Sequence, residues 1–118
     1  MDLSIIIVTY NSENDIKKCI SSIIEETKDI EYEVIIVDND SKDNTRLIVK
    51  SIEEKYSNVK LINSKNRGFN AGNNIGIKNS SGEFIALLNP DTILLNNAFK
   101  IIINNMKLII ISTCILTY

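Results

Sequence analysis

In the stretch LLNPDT, from Leu87 to Thr92, an amide and a carboxylate flank the chain's one proline. Side chains alternate in an extended segment, so Asn89 and Asp91 are expected on one side, with Pro90 stiffening the backbone between them. Together they offer two hard oxygen donors of the kind Mg2+ or Mn2+ accepts, with substrate phosphate and water completing the shell. An ion held there would neutralise charge building on a departing nucleoside diphosphate. The same residues also read as a plain Asn-Pro-Asp turn leading into a helix near Asn96.

Three other stretches carry residues suited to the same chemistry. In NRGFNAGNNIG, Asn66 to Gly76, Arg67 precedes an expected helix N-terminus. Its fixed donors beside a positive dipole end suit a diphosphate, and Asn70 and Asn73 add amides. Gly68, Gly72 and Gly76 recur every four residues, a smooth stripe that lets a helix backbone lie close to a sheet. Asp38, at the tip of VDNDS, can accept hydrogen bonds from a base imide or a ribose hydroxyl, or can cap the helix that follows. Tyr10 and Asn11 bring a flat ring and an amide to the same region, where they could wall in a base. There is no GxGxxG after the first apolar run and no GxxxxGK[ST], which argues against dinucleotide-binding and P-loop sites. The chain has no histidine, so zinc-protease, His-triad and His-relay mechanisms drop out.

These residues need elements to position them, and the apolar pattern supplies them. Continuous Ile- and Val-rich runs predict strands over Leu3–Tyr10, Tyr32–Asp38, Val59–Ile62, Glu83–Asn89 and Leu108–Thr113. Unbroken apolar runs suit strands covered on both faces, as in a parallel sheet. Between them, Ile16, Cys19, Ile20, Ile23 and Ile24 repeat at helical spacing after the capping candidates Asn11, Ser12 and Asn14. Leu47, Ile48, Ile52 and Tyr56 do the same after Ser41, with Asp43 suited to the first turn. Further helices fit Phe69–Lys78 and Asn96–Met106. The order βαβαβαβαβ is that of an α/β, Rossmann-like, doubly wound and mostly parallel sheet. In such a sheet ligands bind beyond the carboxyl ends of the strands, which here read TYNSE, DNDS, NSKNRGFN and NPDT.

At 118 residues, 44% apolar and 24% charged, residues 1–118 are expected to form a single domain. A net charge of −2, scattered along the chain, predicts no nucleic-acid partner. Cys19 and Cys114 show no CxxC spacing, and Cys19 on its apolar stripe reads as a buried free thiol in a reducing compartment. The N-terminus lacks signal-peptide features, and the apolar C-terminal LIIISTCILTY is too short to span a bilayer. A soluble, cytoplasmic chain is the expectation.

Taken together, SIIIVTYNSE, VIIVDNDSKDNT, NRGFNAGNNIGI and GEFIALLNPDT resemble the nucleotide-binding half of family 2 glycosyltransferases of the GT-A fold, with the rhamnosyltransferase-like branch of bacterial surface-polysaccharide synthesis the most similar. The match runs in order from about Leu3 to Leu95. The resemblance implies a nucleoside-diphosphate sugar, of the UDP or dTDP type, as donor. It implies that Thr9, Tyr10, Asn11 and Glu13 line the nucleotide pocket, that Asp38 and Asn39 hold base or ribose, and that Arg67 with Asn66 and Asn70 flanks base or diphosphate. NPD stands where the family has its DxD metal motif, with Asp91 the principal ligand. Asn89 replaces the first Asp, and an amide adds no charge, so metal affinity should depend more on the bound diphosphate.

In that family an acceptor-binding half follows and supplies the general base of inverting transfer, acting on a glycan or lipid-linked acceptor. The expectation is a truncated, donor-binding fragment with no catalytic base of its own and little transfer activity. Asp15, Asp40 and Asp43 are marked only as helix starts and turns. The full enzyme would work in the cytoplasm, peripheral at the inner face of the membrane. The C-terminal apolar tail would be an unpaired sheet edge, predicting a homodimer. Two other classes stand as alternatives. A receiver-like signalling domain needs an acidic pair after the first strand, a lone Asp after the third and a Lys after the fifth, whereas these ends read TYN, NSK and STC. A non-catalytic nucleotide-binding or assembly module would keep the fold alone.

Overall fold

The computed structural model describes residues 1–65, 68–108 and 115–117. Five strands alternate with four helices: β1 (Leu3–Thr9), α1 (Ile16–Glu26), β2 (Tyr32–Asn39), α2 (Thr45–Lys55), β3 (Val59–Ser64), α3 (Phe69–Lys78), β4 (Phe84–Leu88), α4 (Ala98–Leu108) and β5 (Ile115–Thr117). They form one sheet in the order β3-β2-β1-β4-β5, parallel at every pairing. The doubly wound α/β architecture is as the apolar runs predict. β1 is buried along its whole length, which explains its unbroken Ile/Val run.

Two apolar layers sandwich the sheet. On one face Leu3, Ile5 and Ile7 pack with Ile16, Cys19, Ile20 and Ile23 of α1, Val49 of α2, and Phe99 and Ile103 of α4. On the other, Ile6, Val8, Ile35 and Val37 meet Ile75 and Ile77 of α3. The glycine stripe sets that second contact: a Cβ on Gly72 would lie 2.7 Å from Val8 Cγ1, and one on Gly76 would collide with Ile6 Cγ2. This is the packing role the four-residue spacing predicts.

The last strand is a correction. The expected run Leu108–Thr113 is not a strand at its start, since Leu108 closes α4, and β5 lies at Ile115–Thr117. Phe99 and Ile103 keep helical spacing into the core, and an apolar run after them cannot be separated from the helix end by periodicity alone. Residues 109–114 and Tyr118, and with them most of the tail expected to dimerise, lie outside the described residues.

The strand order reverses between β1 and β4, the topological switch point where such sheets open a crevice beyond their carboxyl ends. The Tyr10 loop and the Asn89 turn flank it. At the opposite, amino edge, Ser4 Oγ donates to Glu33 Oε2 at 2.6 Å, and the same carboxylate oxygen accepts from Ser81 N–H at 2.7 Å. Burial pushes the Glu33 carboxyl up, but these bonds and nearby Lys60 outweigh it and hold the group below its ordinary value.

Candidate functional site

Beyond β1 and β2 the rim is an interlocked polar network. Asp38 is fully buried, and its carboxylate accepts four hydrogen bonds: from Thr9 Oγ1 at 2.7 Å, Ser41 Oγ at 2.6 Å, Ser41 N–H at 2.9 Å and Arg46 Nε at 2.9 Å. Two carboxylate oxygens offer about four acceptor positions, so this one is saturated from within the protein. Arg46 also donates to Asp40 at 2.7 Å, and Lys42 does so at 2.9 Å. Lys42 first, then Arg46, hold the Asp40 carboxyl below its usual range.

Asn11 and Glu13 join the β1 loop to the β2 loop. Asn11 adopts φ +49°, its N–H donates to Ser41 Oγ at 2.9 Å, and its Oδ1 accepts from Lys42 N–H at 2.8 Å. Glu13 Oε2 accepts from Asn44 N–H at 3.0 Å, and Glu13 N–H donates to Asp43 Oδ2 at 3.1 Å. Asp43 Oδ1 in turn accepts both the N–H and the hydroxyl of Thr45, the first residue of α2. Burial pushes the Asp43 carboxyl up, but these bonds hold it below its ordinary value. Asp43 therefore serves the helix start just before α2 instead of within its first turn, and Ser41, read as a cap, belongs to Asp38. At α1 the residue at the cap position is Asp15, one beyond the expected Asn14.

Across β1 a small cleft of about 150 Å³ is lined by Val8, Thr9, Tyr10, Asn39, Gly68 and Phe69. Tyr10 and Phe69 are each half exposed, while Asn39 is buried and ties its wall together. Asn39 Nδ2 donates to Gly68 carbonyl at 3.1 Å, and its Oδ1 accepts from Ser64 Oγ at 3.1 Å. Gly68 itself has φ +89°, a backbone that glycine supplies without strain. The cleft is below the roughly 300–1,000 Å³ of small-molecule sites, so it has room for part of a nucleotide, such as its base. Larger concavities of 280 Å³ between α1 and α2 and 540 Å³ at the amino edge do not touch the carboxyl rim. Position on the carboxyl rim, beyond β1 and β2, and not size, selects the cleft.

On the other side of the switch point, Thr92 N–H donates to Asn89 carbonyl at 3.1 Å, closing a four-residue turn over Asn89 to Thr92. The extended arrangement expected of Asn89 and Asp91 is thus corrected: Pro90, with φ fixed near −65°, occupies the corner of a β-turn. Asn89 and Asp91 are both exposed on that turn. The Asp91 carboxylate has no hydrogen-bond or ion-pair partner among the described residues, in contrast to Glu13, Asp38, Asp40 and Asp43. Beneath the turn lies Cys19, whose buried thiol faces Asn89 carbonyl at 3.8 Å. Burial, with the charges of Asp91 and Asp15, pushes that thiol up to about 12.

The donor set suits a hard divalent ion only in part. Among the described residues no three carboxylate, thiol or imidazole groups converge, so one carboxylate and one amide would need phosphate oxygens and water to fill a shell.

The structure thus brings Thr9, Tyr10 and Asn39 to one cleft and sets Asn89 and Asp91 across the switch point. Asn11, Glu13 and Asp38 are engaged in holding loops, and Asn70 is exposed on the first turn of α3. Asn66, Arg67 and Cys114 lie outside the described residues. Sequence reasoning missed Arg46, whose signal was a lone cation in the first turn of α2 after three acids in DNDSKD, and Phe69, which the glycine stripe overshadowed.

A family model described as glycosyl transferase family 2 matches residues 4–108. The chain belongs to that family. Among family members, the UDP-Glc:alpha-D-GlcNAc-diphosphoundecaprenol beta-1,3-glucosyltransferase WfgD of Escherichia coli is 37% identical over 105 residues, covering 88% of this chain and 40% of WfgD. The structure of S. aureus TarS 1-349 in complex with UDP-GlcNAc superposes with a TM-score of 0.80 at 28% identity, over 91% of this chain and 31% of that one. The mannosyltransferase PcManGT from Pyrobaculum calidifontis, in complex with GDP-Man and Mn2+, shares the fold with a TM-score of 0.77 at 23% identity, over 89% of this chain and 31% of its own. The chain spans between 12% and 40% of the length of its first curated relatives. Its parallel α/β sheet is that of GT-A glycosyltransferases.

Proposed function

We propose that residues 1–118 form one nucleotide-sugar-binding domain of a glycosyltransferase that serves bacterial surface-polysaccharide synthesis, in the rhamnosyltransferase-like branch. The observation that carries this reading is the carboxyl rim of the sheet, where an aromatic-edged cleft lies beyond β1 and β2 and the turn after β4 bears Asp91, an exposed carboxylate with no hydrogen-bond or ion-pair partner among the described residues. The cleft takes the base of a UDP- or dTDP-type sugar, with Tyr10 and Asn39 at its walls and Thr9 at its floor. Asp38, Asn11 and Glu13 act one step back, fixing the loops that shape it. Asn66, Arg67 and Asn70 flank the diphosphate.

Asp91, assisted by Asn89, holds Mg2+ or Mn2+ against that diphosphate. Bound there, the ion supplies charge neutralisation for the leaving group. Support comes from TarS, whose structure contains UDP-GlcNAc, and from the Mn2+ complex of PcManGT. The acceptor, a glycan or a lipid-linked glycan, and the general base of inverting hexosyl transfer belong to a part of the enzyme not among these residues. The enzyme acts in the cytoplasm at the inner face of the membrane, and copies pair through the apolar tail.

Thermal unfolding with UDP- and dTDP-sugars, with and without Mn2+, tests this reading. Ligand at a hundred times its Kd adds about 2.7 kcal/mol of stability by mass action. The expected result is a midpoint raised by the nucleotide sugar and raised further by Mn2+, with the Mn2+ increment gone in Asp91→Ala. No shift at millimolar nucleotide sugar would refute donor binding, and the non-catalytic assembly reading would stand in its place.

A further inference from the structure

Between β4 and α4 the chain from Asn89 to Asn97 has neither helix nor strand to hold it, yet it carries the Asn89–Asp91 turn. Its supports all come from α1 and the residues just after it. Cys19 Sγ faces Asn89 carbonyl at 3.8 Å, Ser22 Oγ accepts Leu94 N–H at 2.9 Å, and just beyond the segment Lys100 of α4 pairs with Asp29 at 3.4 Å. Asn97 reads the Lys28 backbone in both directions, its Oδ1 accepting from Lys28 N–H at 3.2 Å and its Nδ2 donating to Lys28 carbonyl at 3.0 Å. The contacts advance together along both segments, so the segment runs beside α1 in the same direction. Its outer positions Asn89, Asp91, Ile93 and Leu95 are exposed, whereas Leu94 is turned inward.

Ser22 is the unexpected member. It lies buried in the middle of α1, where Ala would favour the helix, and its hydroxyl donates back to Cys19 carbonyl at 2.8 Å. Back-bonding of this kind slightly weakens a helix. Here it aims the oxygen lone pairs at Leu94 N–H, a buried donor that no strand or helix satisfies.

We propose that α1 fixes the Asn89–Asp91 turn for its metal and diphosphate, with Ser22 as the positioning residue and Asn97 as the second clamp; this rests on the reading of that turn as the metal site. Groups hydrogen-bonded directly to a metal ligand typically govern about 10–100-fold in metal affinity, and Ser22, which holds Leu94 three residues beyond Asp91, falls at the low end of that range.

The test is Mn2+ titration of the chain in the presence of saturating UDP, followed by the electron paramagnetic resonance of free Mn2+, alongside UDP binding without metal. Ser22→Ala is expected to lower Mn2+ affinity about tenfold, with metal-free UDP affinity unchanged and with Ser22→Thr, which keeps the hydroxyl, restoring most of the loss. Asn97→Ala is expected to give a smaller loss in the same direction; because Asn97 lies at the surface, that variant decides the matter if Ser22→Ala does not fold. Folded variants that bind Mn2+ as the wild type does, whatever their unfolding midpoints, overturn the positioning role alone. A wild-type chain that binds UDP but no Mn2+ overturns the metal reading and the positioning role together.

Discussion

Asp38 and Asp91 end the two strands that flank β1, and they have opposite surroundings. Asp38 is buried with four donors on its carboxylate, while Asp91 stands exposed on a turn without a partner among the described residues. Both look alike in the sequence, an acid after an apolar run. The difference teaches which half of the rim is scaffold and which half is free to meet a ligand. A saturated carboxylate organises Thr9, Ser41 and Arg46 around the β1–β2 loops. An unsatisfied one keeps its acceptor positions open for something that arrives later.

The largest expected effect comes from breaking the scaffold side. Asp38→Ala strands the Thr9 and Ser41 hydroxyls and the Arg46 guanidinium that now share its carboxylate, and should cost about 3 kcal/mol in urea denaturation, the scale for removing one partner of a buried charged network. A loss within the range of ordinary surface substitutions would place Asp38 among the free groups and dissolve the contrast.

A smaller effect sharpens the comparison at the amino edge, where Glu33 is likewise buried and multiply bonded but far from the proposed ligand. Its folded carboxyl titrates below the ordinary value, so the unfolded chain takes up the proton first as pH falls. The stability it contributes is present above the ordinary carboxylate pKa and is lost as pH drops through the folded value. Unfolding midpoints recorded from pH 7 down to about pH 3 should therefore fall less steeply in Glu33→Gln than in the wild type, bearing in mind that an ordinary Glu titrates near 4.3. Parallel curves would mean that Glu33 keeps its proton affinity on folding.

Much of this was legible in the residues. Apolar runs gave four of the strands to within two residues; β1 and β2 are covered on both faces and have no polar side to interrupt the pattern, whereas β3 at the sheet edge is mostly part-exposed and carries Lys60. The glycine spacing anticipated the close approach of α3 to Val8 and Ile6. What stayed hidden depended on partners distant in sequence. Nothing local distinguishes an Asp38 that will be saturated by Thr9 and Arg46 from one left open to a base. Pro90 in its local sequence suits a stiffener of extended chain, whereas the Thr92 N–H to Asn89 carbonyl bond makes it a turn corner. Ser22 carried no signal at all, since its acceptor role exists only once Leu94 lies beside α1.

The smallest expected change in stability belongs to Asp91. In metal-free buffer, Asp91→Ala should leave the urea midpoint where the wild type has it, because the side chain gives up no hydrogen bond or ion pair with any described residue and the backbone turn is closed by Asn89 and Thr92 alone. Asp91→Asn should behave the same way, as an exposed turn position accepts Asn as readily as Asp. A midpoint lowered as far as that of Asp38→Ala would show that Asp91 is also structural, and the two ends of the rim would then have to be read as one scaffold. An unchanged midpoint in both variants keeps the carboxylate in reserve, which is the state a metal-dependent donor site requires before its ligand binds.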